Sequence, residues 1–301
     1  MPTPAMLIWG VALPLAASAV LWAVWAAVSG GGSASAGRRG LLGRLTAALP
    51  VPAAFALAFY AADPVAAFPP LMAVDWLFYA AVALTVVVLL EATLPAGRLA
   101  WRVPMWLAGA AVMVVPLTGP WRTGLDADFN PRSPVYAWMM VSAWTVACVV
   151  VRGLVGRLAG ATPVSALWVL GLSSAVGAVV MGLSGSQFAM PFRTAALGLA
   201  LLPLLPLVWW WGRKGATVPL PAATVSAWAL LYTAVVLAGH LWYALTALNA
   251  VLLVAGPGLA GLVPARWPWL RLVVGVLPPL AALGLAGYAF AAAQSVDPYG
   301  Y

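Results

Sequence analysis

Runs of about 16 to 24 apolar residues recur from one end of the chain to the other, without the period-two alternation of membrane barrel strands. Hydrocarbon offers no hydrogen-bond partner, so runs of this length predict transmembrane helices, each satisfying its own backbone. Ten are predicted: Ala5–Val28, Leu45–Ala62, Leu71–Leu90, Val103–Thr118, Val135–Val151, Val164–Leu183, Thr194–Trp211, Pro221–Gly239, Leu241–Val263 and Leu270–Ala293. The fold class is therefore all-α, a polytopic integral membrane bundle, with residues 1–301 forming one transmembrane domain. Breaks between runs carry turn chemistry: Gly and Ser over Ser29–Gly37, Asp63-Pro64, a polar loop over Gly119–Pro134, and Ser184-Gly185-Ser186-Gln187. The ninth run is interrupted near its end by Gly256-Pro257-Gly258.

The stretch Pro221–Val263 is too long for one span, and charge divides it. Cytoplasmic loops are enriched in Lys and Arg. With ten helices, eleven of the fourteen basic residues share one side: Arg38, Arg39, Arg44, Arg98, Arg102, Arg152, Arg157, Arg213, Lys214, Arg266 and Arg271. Arg122, Arg132 and Arg193 take the other. Treating the stretch as one helix would move the last pair across and spoil that segregation. The expected topology has both termini outside a bacterial-type inner membrane and the arginine-bearing loops in the cytoplasm. The segment Met1–Met6 lacks a basic residue and the arginines follow the first apolar run, which predicts a retained first helix rather than a cleaved signal, despite Ala34-Ser35-Ala36.

Composition agrees: 65% of residues are hydrophobic and 7% charged, whereas a soluble domain usually carries about 25% charged. The net charge of +8 is dispersed between apolar segments, which suits anionic lipid and argues against nucleic acid as a partner. The chain is Trp-rich, with 17, and eight flank predicted helix ends: Trp101, Trp209, Trp210, Trp211, Trp267 and Trp269 at the arginine-rich end, Trp121 and Trp242 at the other. That is the place for amphipathic anchors. One cysteine, Cys148, excludes a disulfide within the chain.

Ten helices divide into five plus five, which would relate the halves as an inverted repeat, a plan common among transporters. Pro50 and Pro52 in the second helix echo Pro203 and Pro206 in the seventh; the short fourth, with Pro104 and Pro116, echoes the interrupted ninth.

Chemistry-bearing residues are few. Asp75 lies near the start of the third helix, and Glu91 at its far end, where Arg98 or Arg102 is the expected partner. His240, the single histidine, falls in the turn between the eighth and ninth helices, without companions for a metal site. Tyr243, Thr246 and Asn249 recur every three residues and predict a broad polar face on the ninth helix, with Asn249 near mid-membrane. Ser226 and Thr233 on the eighth and Ser173 and Ser174 on the sixth are its candidate companions, and Gly171, Gly177 and Gly182 predict close packing of the sixth. These residues, with Asp75, are the candidate substrate contacts. Asp126, Asp128 and Asn130 match the opening of a calcium loop, but Pro131 replaces the turn glycine and no closing Glu follows. No catalytic set, nucleotide fingerprint or cofactor motif is present, so no enzyme activity and no cofactor is expected. Size and the ninth-helix face favour a small secondary transporter or permease for a neutral or apolar solute. The scarcity of chemical groups favours, as the alternative, a non-catalytic subunit or scaffold of a larger membrane complex. The partners expected are membrane lipids, with other membrane subunits or further copies of the chain.

In a Cys148→Ala background, a cysteine introduced within Leu125–Ser133 should react with an impermeant thiol reagent from outside, and one within Arg213–Ala216 should not. Labelling of both positions would overturn the ten-helix map.

Overall fold

The structure is a computed structural model that describes residues 7–29, 38–62, 68, 70, 72–94, 99–119, 134–185, 189–213 and 219–296. These form twelve α-helices: α1 (Leu13–Ser29, entered through a π-helical turn, Ile8–Ala12), α2 (Arg38–Ala47), α3 (Pro50–Ala62), α4 (Trp76–Thr93), α5 (Leu99–Leu117), α6 (Pro134–Ala161), α7 (Pro163–Leu183), α8 (Ala189–Leu199), α9 (Leu204–Arg213), α10 (Ala222–Trp242), α11 (Ala247–Ala260) and α12 (Pro268–Val296). The pairs α2–α3 and α8–α9 each make one broken span, so the described residues form ten apolar helical segments. Nine described spans are long and apolar enough to cross a membrane, and the protein is an all-α polytopic membrane bundle.

The tenth crossing, α11, has only 14 residues, about 21 Å of helix. It still traverses the bundle. Its start follows Trp242, whose indole donates to the carbonyl of Leu117 at the end of α5 (3.0 Å). Beyond its far end, Val263 O accepts from Arg271 Nε (2.8 Å), and Arg271 Nη1 donates to Thr162 Oγ1 at the α6–α7 junction (2.8 Å). The ninth span therefore differs from the predicted Leu241–Val263. Leu241 and Trp242 complete α10, Tyr243 is extended, and Thr246 caps α11 by accepting from Asn249 N (3.2 Å). Gly256-Pro257-Gly258 lies inside α11 rather than interrupting it.

Helix α10 is the axis of the fold. Of its apolar window 94% is buried within the protein, against 22 to 56% for the other spans, and α3, α4, α5, α6, α8 and α11 all pack on it. A helix enclosed on every side must pair its polar side chains with protein. Thr224 Oγ1 donates to Ala47 O (2.6 Å), Trp228 Nε1 to Ser174 Oγ (3.1 Å) and Thr233 Oγ1 to Ala229 O (2.7 Å). The Tyr232 hydroxyl faces Ser173 O (3.1 Å) and Leu253 O (3.4 Å), and its ring stacks on Trp228 at 4.6 Å.

Several of these acceptors are carbonyls that a helix break or a proline has set free. A proline cannot donate to the carbonyl four residues earlier. Pro257 strands Leu253 O, which Tyr232 takes up. The second span breaks at Ala48-Leu49, just before Pro50 and Pro52, and Thr224 caps Ala47 O there. The seventh breaks ahead of Pro203 and Pro206; Leu204 N turns to Leu201 O, and Ala200 O accepts from Trp22 Nε1 (2.7 Å). The two proline pairs thus break corresponding spans of the two halves near the same point. The halves otherwise pack unequally: helix α7 lies along α12, whereas their counterparts, α1 and α6, form no comparable contact, and α4, the counterpart of α10, has only a third of its window buried.

Small residues allow the closest crossings. A Cβ on Gly256 would strike Gly275 O and Pro279 of α12, and one on Gly177 would press on Thr194 and Tyr232, while Gly171 faces open space. Gly256→Leu should therefore lower the melting temperature in detergent, by the equivalent of about 1–3 kcal/mol of overpacking. Gly284→Leu, where an added Cβ meets nothing, should leave it unchanged or raise it, because Leu outranks Gly in helix propensity.

A buried ion pair at an arginine-lined cavity

The candidate site gathers at the arginine-rich end, where α4 ends, α5 and α10 begin, and α6 runs past. Glu91, two residues from the end of α4, is 2% exposed. Its Oε1 lies 3.1 Å from Arg152 Nη2 and accepts from Trp106 Nε1 at 3.0 Å. Arg152 is 4% exposed; it donates from Nε to Ser226 Oγ and from Nη2 to Ala222 O (3.3 Å), with its guanidinium carbon 4.3 Å from the Trp106 ring centroid. Ser226 Oγ itself donates a hydrogen bond to Ala222 O (3.0 Å). Glu91 of α4, Ser226 and Ala222 of α10 and the Trp106 ring of α5 thus hold one guanidinium. Gly156 belongs to the arrangement, because a Cβ there would collide with Arg152 Nη1.

Glu91 pairs with Arg152 rather than with Arg102, one of the two partners the sequence suggested. Arg98 lies outside the described residues, and Arg102 Nε is buried without a partner. The reason is the length of α6. It continues ten residues past its predicted end at Val151, and Val151, Arg152, Val155, Leu158 and Ala159 are all buried. A hydropathy run stops at the first charge, so Arg152 read as a loop residue. The three- and then four-residue steps from Arg152 to Val155 and from Val155 to Ala159 are the available signal that the helix goes on. Two more arginines assigned to loops are also helical and buried. Arg271 lies in α12 and ties the α6–α7 and α11–α12 connections together, as above. Arg193 lies in α8, 1% exposed, with its guanidinium carbon 3.6 Å from the Phe59 ring centroid.

Above the ion pair opens a cavity of about 640 Å³ between α5, α6 and the start of α10, with Arg102, Arg152 and Arg157 in its wall. Arg102 repels Arg152 electrostatically, and Arg157 is exposed. Glu91 balances one guanidinium, so among the described residues two positive charges are left over at the cavity.

The structure scatters the other candidate contacts. Tyr243, Thr246 and Asn249 do not share a helix face, since the first two lie outside α11. Asn249 sits in the first turn of α11, and its Oδ1 is buried without a partner, as is Ser173 Oγ. Ser226 joins the arginine site, whereas Thr233 bonds within its own helix. Ser174, besides accepting from Trp228, donates to Leu170 O (2.9 Å). Asp75 closes a 3₁₀ turn, Ala73–Asp75, at the head of α4. His240 Nδ1 lies 2.9 Å from Leu245 O. Asp126, Asp128 and Asn130 lie outside the described residues, and among the described residues no group of three metal-ligating side chains occurs.

The fold and site define a polytopic helical membrane protein with a buried ion pair beneath a cationic cavity. The chain matches no protein-family model, no curated protein and no solved structure.

Glu91→Gln leaves Arg152 buried with no counter-charge and should destabilise the protein by about 3–5 kcal/mol. The double variant Glu91→Gln/Arg152→Gln should recover much of that loss. Thermal unfolding in detergent, compared across the two singles and the double, measures it; equal stability of Glu91→Gln and the parent would show that the pair is not formed.

Proposed function

We propose that this protein is a small non-enzymatic secondary carrier whose substrate is an anion bound at the arginine-lined cavity. The observation that carries this reading is the imbalance of charge: three arginines meet one carboxylate, and Arg102 Nε has no partner. An anion entering the cavity competes with Glu91 for Arg152, so binding and the release of one interhelical bond are linked. That linkage is what a carrier needs, because a ligand shifts a conformational equilibrium only through differential affinity for its states. A neutral solute is less well supported, because Ser226, Thr233 and Ser174 already have partners within the bundle, and Asn249 and Ser173, whose oxygens lack partners, are not in the wall of the cavity. The segregation of Lys and Arg supports a cytoplasmic opening of the cavity in a bacterial-type inner membrane, with both termini outside.

A scaffold role in a larger membrane assembly is the second reading. It is favoured by the enclosure of α10 and the interlocked Trp228–Tyr232 centre, which leave little slack for motion.

Purified protein reconstituted in liposomes and exposed to concentration jumps of phosphate, sulfate, acetate and glutamate should give a transport current or flux for at least one anion. Arg102→Gln, which breaks no bond within the bundle, should reduce it more than tenfold while remaining inserted and monodisperse. Flux for none, together with stoichiometric recovery of other chains on gentle extraction, would favour the scaffold.

A further inference from the structure

The wall of the same cavity departs from what a small water-soluble anion requires. At about 640 Å³ it holds roughly twenty waters at about 30 Å³ each, far more than one oxyanion occupies. Only part of it is charged. Val103, Val149, Val150 and Leu154 form an apolar flank, and Val150 is 51% exposed on the lipid-facing surface. One turn further along each helix, Leu107 and Val146 are exposed too (41% and 58%), so the flank runs on as an apolar track down α5 and α6. The floor is kept open by glycine: a Cβ at Gly153 or Gly160 would meet nothing within 4 Å.

Position matches composition. Helix α6 has 28 residues, about 42 Å, and outruns a hydrocarbon core of about 30 Å. Arg152 and Arg157 lie in its last ten residues, so the charged end of the cavity sits near headgroup level while the track descends into acyl-chain depth. A guanidinium presents forked donors matched to phosphate oxygens.

Resting on the anion-site reading above, we infer that the ligand of this cavity is an amphiphile with a phosphate-type oxyanion head. The head is held by Arg102, Arg152 and Arg157, and the hydrocarbon chain lies along α5 and α6. Such a ligand enters sideways from the bilayer and keeps its chain in hydrocarbon throughout. The shared chemistry is the oxyanion, whether borne on a lipid or free in solution, and the experiment separates the two sources.

Protein in phosphatidylcholine nanodiscs would be offered phosphatidic acid, or diacylglycerol at the same mole fraction, or inorganic phosphate in the buffer. Bound ligand would be counted by native mass spectrometry, and melting temperature followed in parallel. The expected result is retention and stabilisation by phosphatidic acid, with at least tenfold weaker binding of phosphate and none of diacylglycerol. Gly153→Leu, which fills open space, should lose the lipid at least tenfold without lowering the ligand-free melting temperature, and Arg102→Gln should weaken it. Equal binding of phosphate and phosphatidic acid would overturn the amphiphile and leave the anion carrier standing. Equal binding of diacylglycerol, or no binding of any probe, would overturn both. Phosphatidic acid binding that neither substitution changes would place the lipid elsewhere on the surface and overturn the assignment to this cavity.

Discussion

The constraint on which this structure depends is the cost of an unpaired backbone carbonyl away from water. A chain with 26 prolines sets many carbonyls free inside its helices. The fold answers with side chains from neighbouring helices: Thr224 for Ala47, Tyr232 for Leu253 and Trp22 for Ala200. Two of these three donors belong to α10, which explains why the most enclosed helix is not the most apolar one. Its polar residues connect the bundle, and their partners dictate which helices must surround it.

The same logic extends to charge. An arginine in hydrocarbon is expensive and is ordinarily found facing protein or a cavity. Arg152 meets that condition through a carboxylate, a hydroxyl, a carbonyl and an aromatic face. Removing any one of these would leave a smaller fault than removing Glu91, which alone supplies the opposite charge. The site is therefore both a structural joint among α4, α5, α6 and α10 and a place where an external anion can compete.

Much of the fold was legible in the sequence because hydropathy reports directly on burial in lipid. All ten segments are present, and the charge argument that split Pro221–Val263 matches a chain turn at Tyr243–Thr246. Helix ends were less legible. Hydropathy cannot distinguish an arginine facing water from one facing protein, so the apolar run ends at Val151 and excludes the residue on which the site depends. The polar face expected on the ninth span failed for a related reason. Tyr243, Thr246 and Asn249 have helical spacing, but Thr246 is an N-cap residue, and a cap begins a helix rather than lying within one. The proline pairs were visible from the outset. Which carbonyls they would free, and which distant indole or hydroxyl would reach them, depended on packing that no local pattern encodes.

Thr224 and Ser226 stand two residues apart on α10 and point to opposite sides of it. One grips the broken second span at Ala47; the other grips Arg152. Less than one helical turn of backbone therefore separates the kink in one crossing from the charged floor of the cavity, with α10 as a short lever between them. A rotation of that lever by a few degrees cannot lengthen one bond without straining the other, so the proline break and the ion pair are mechanically a single element.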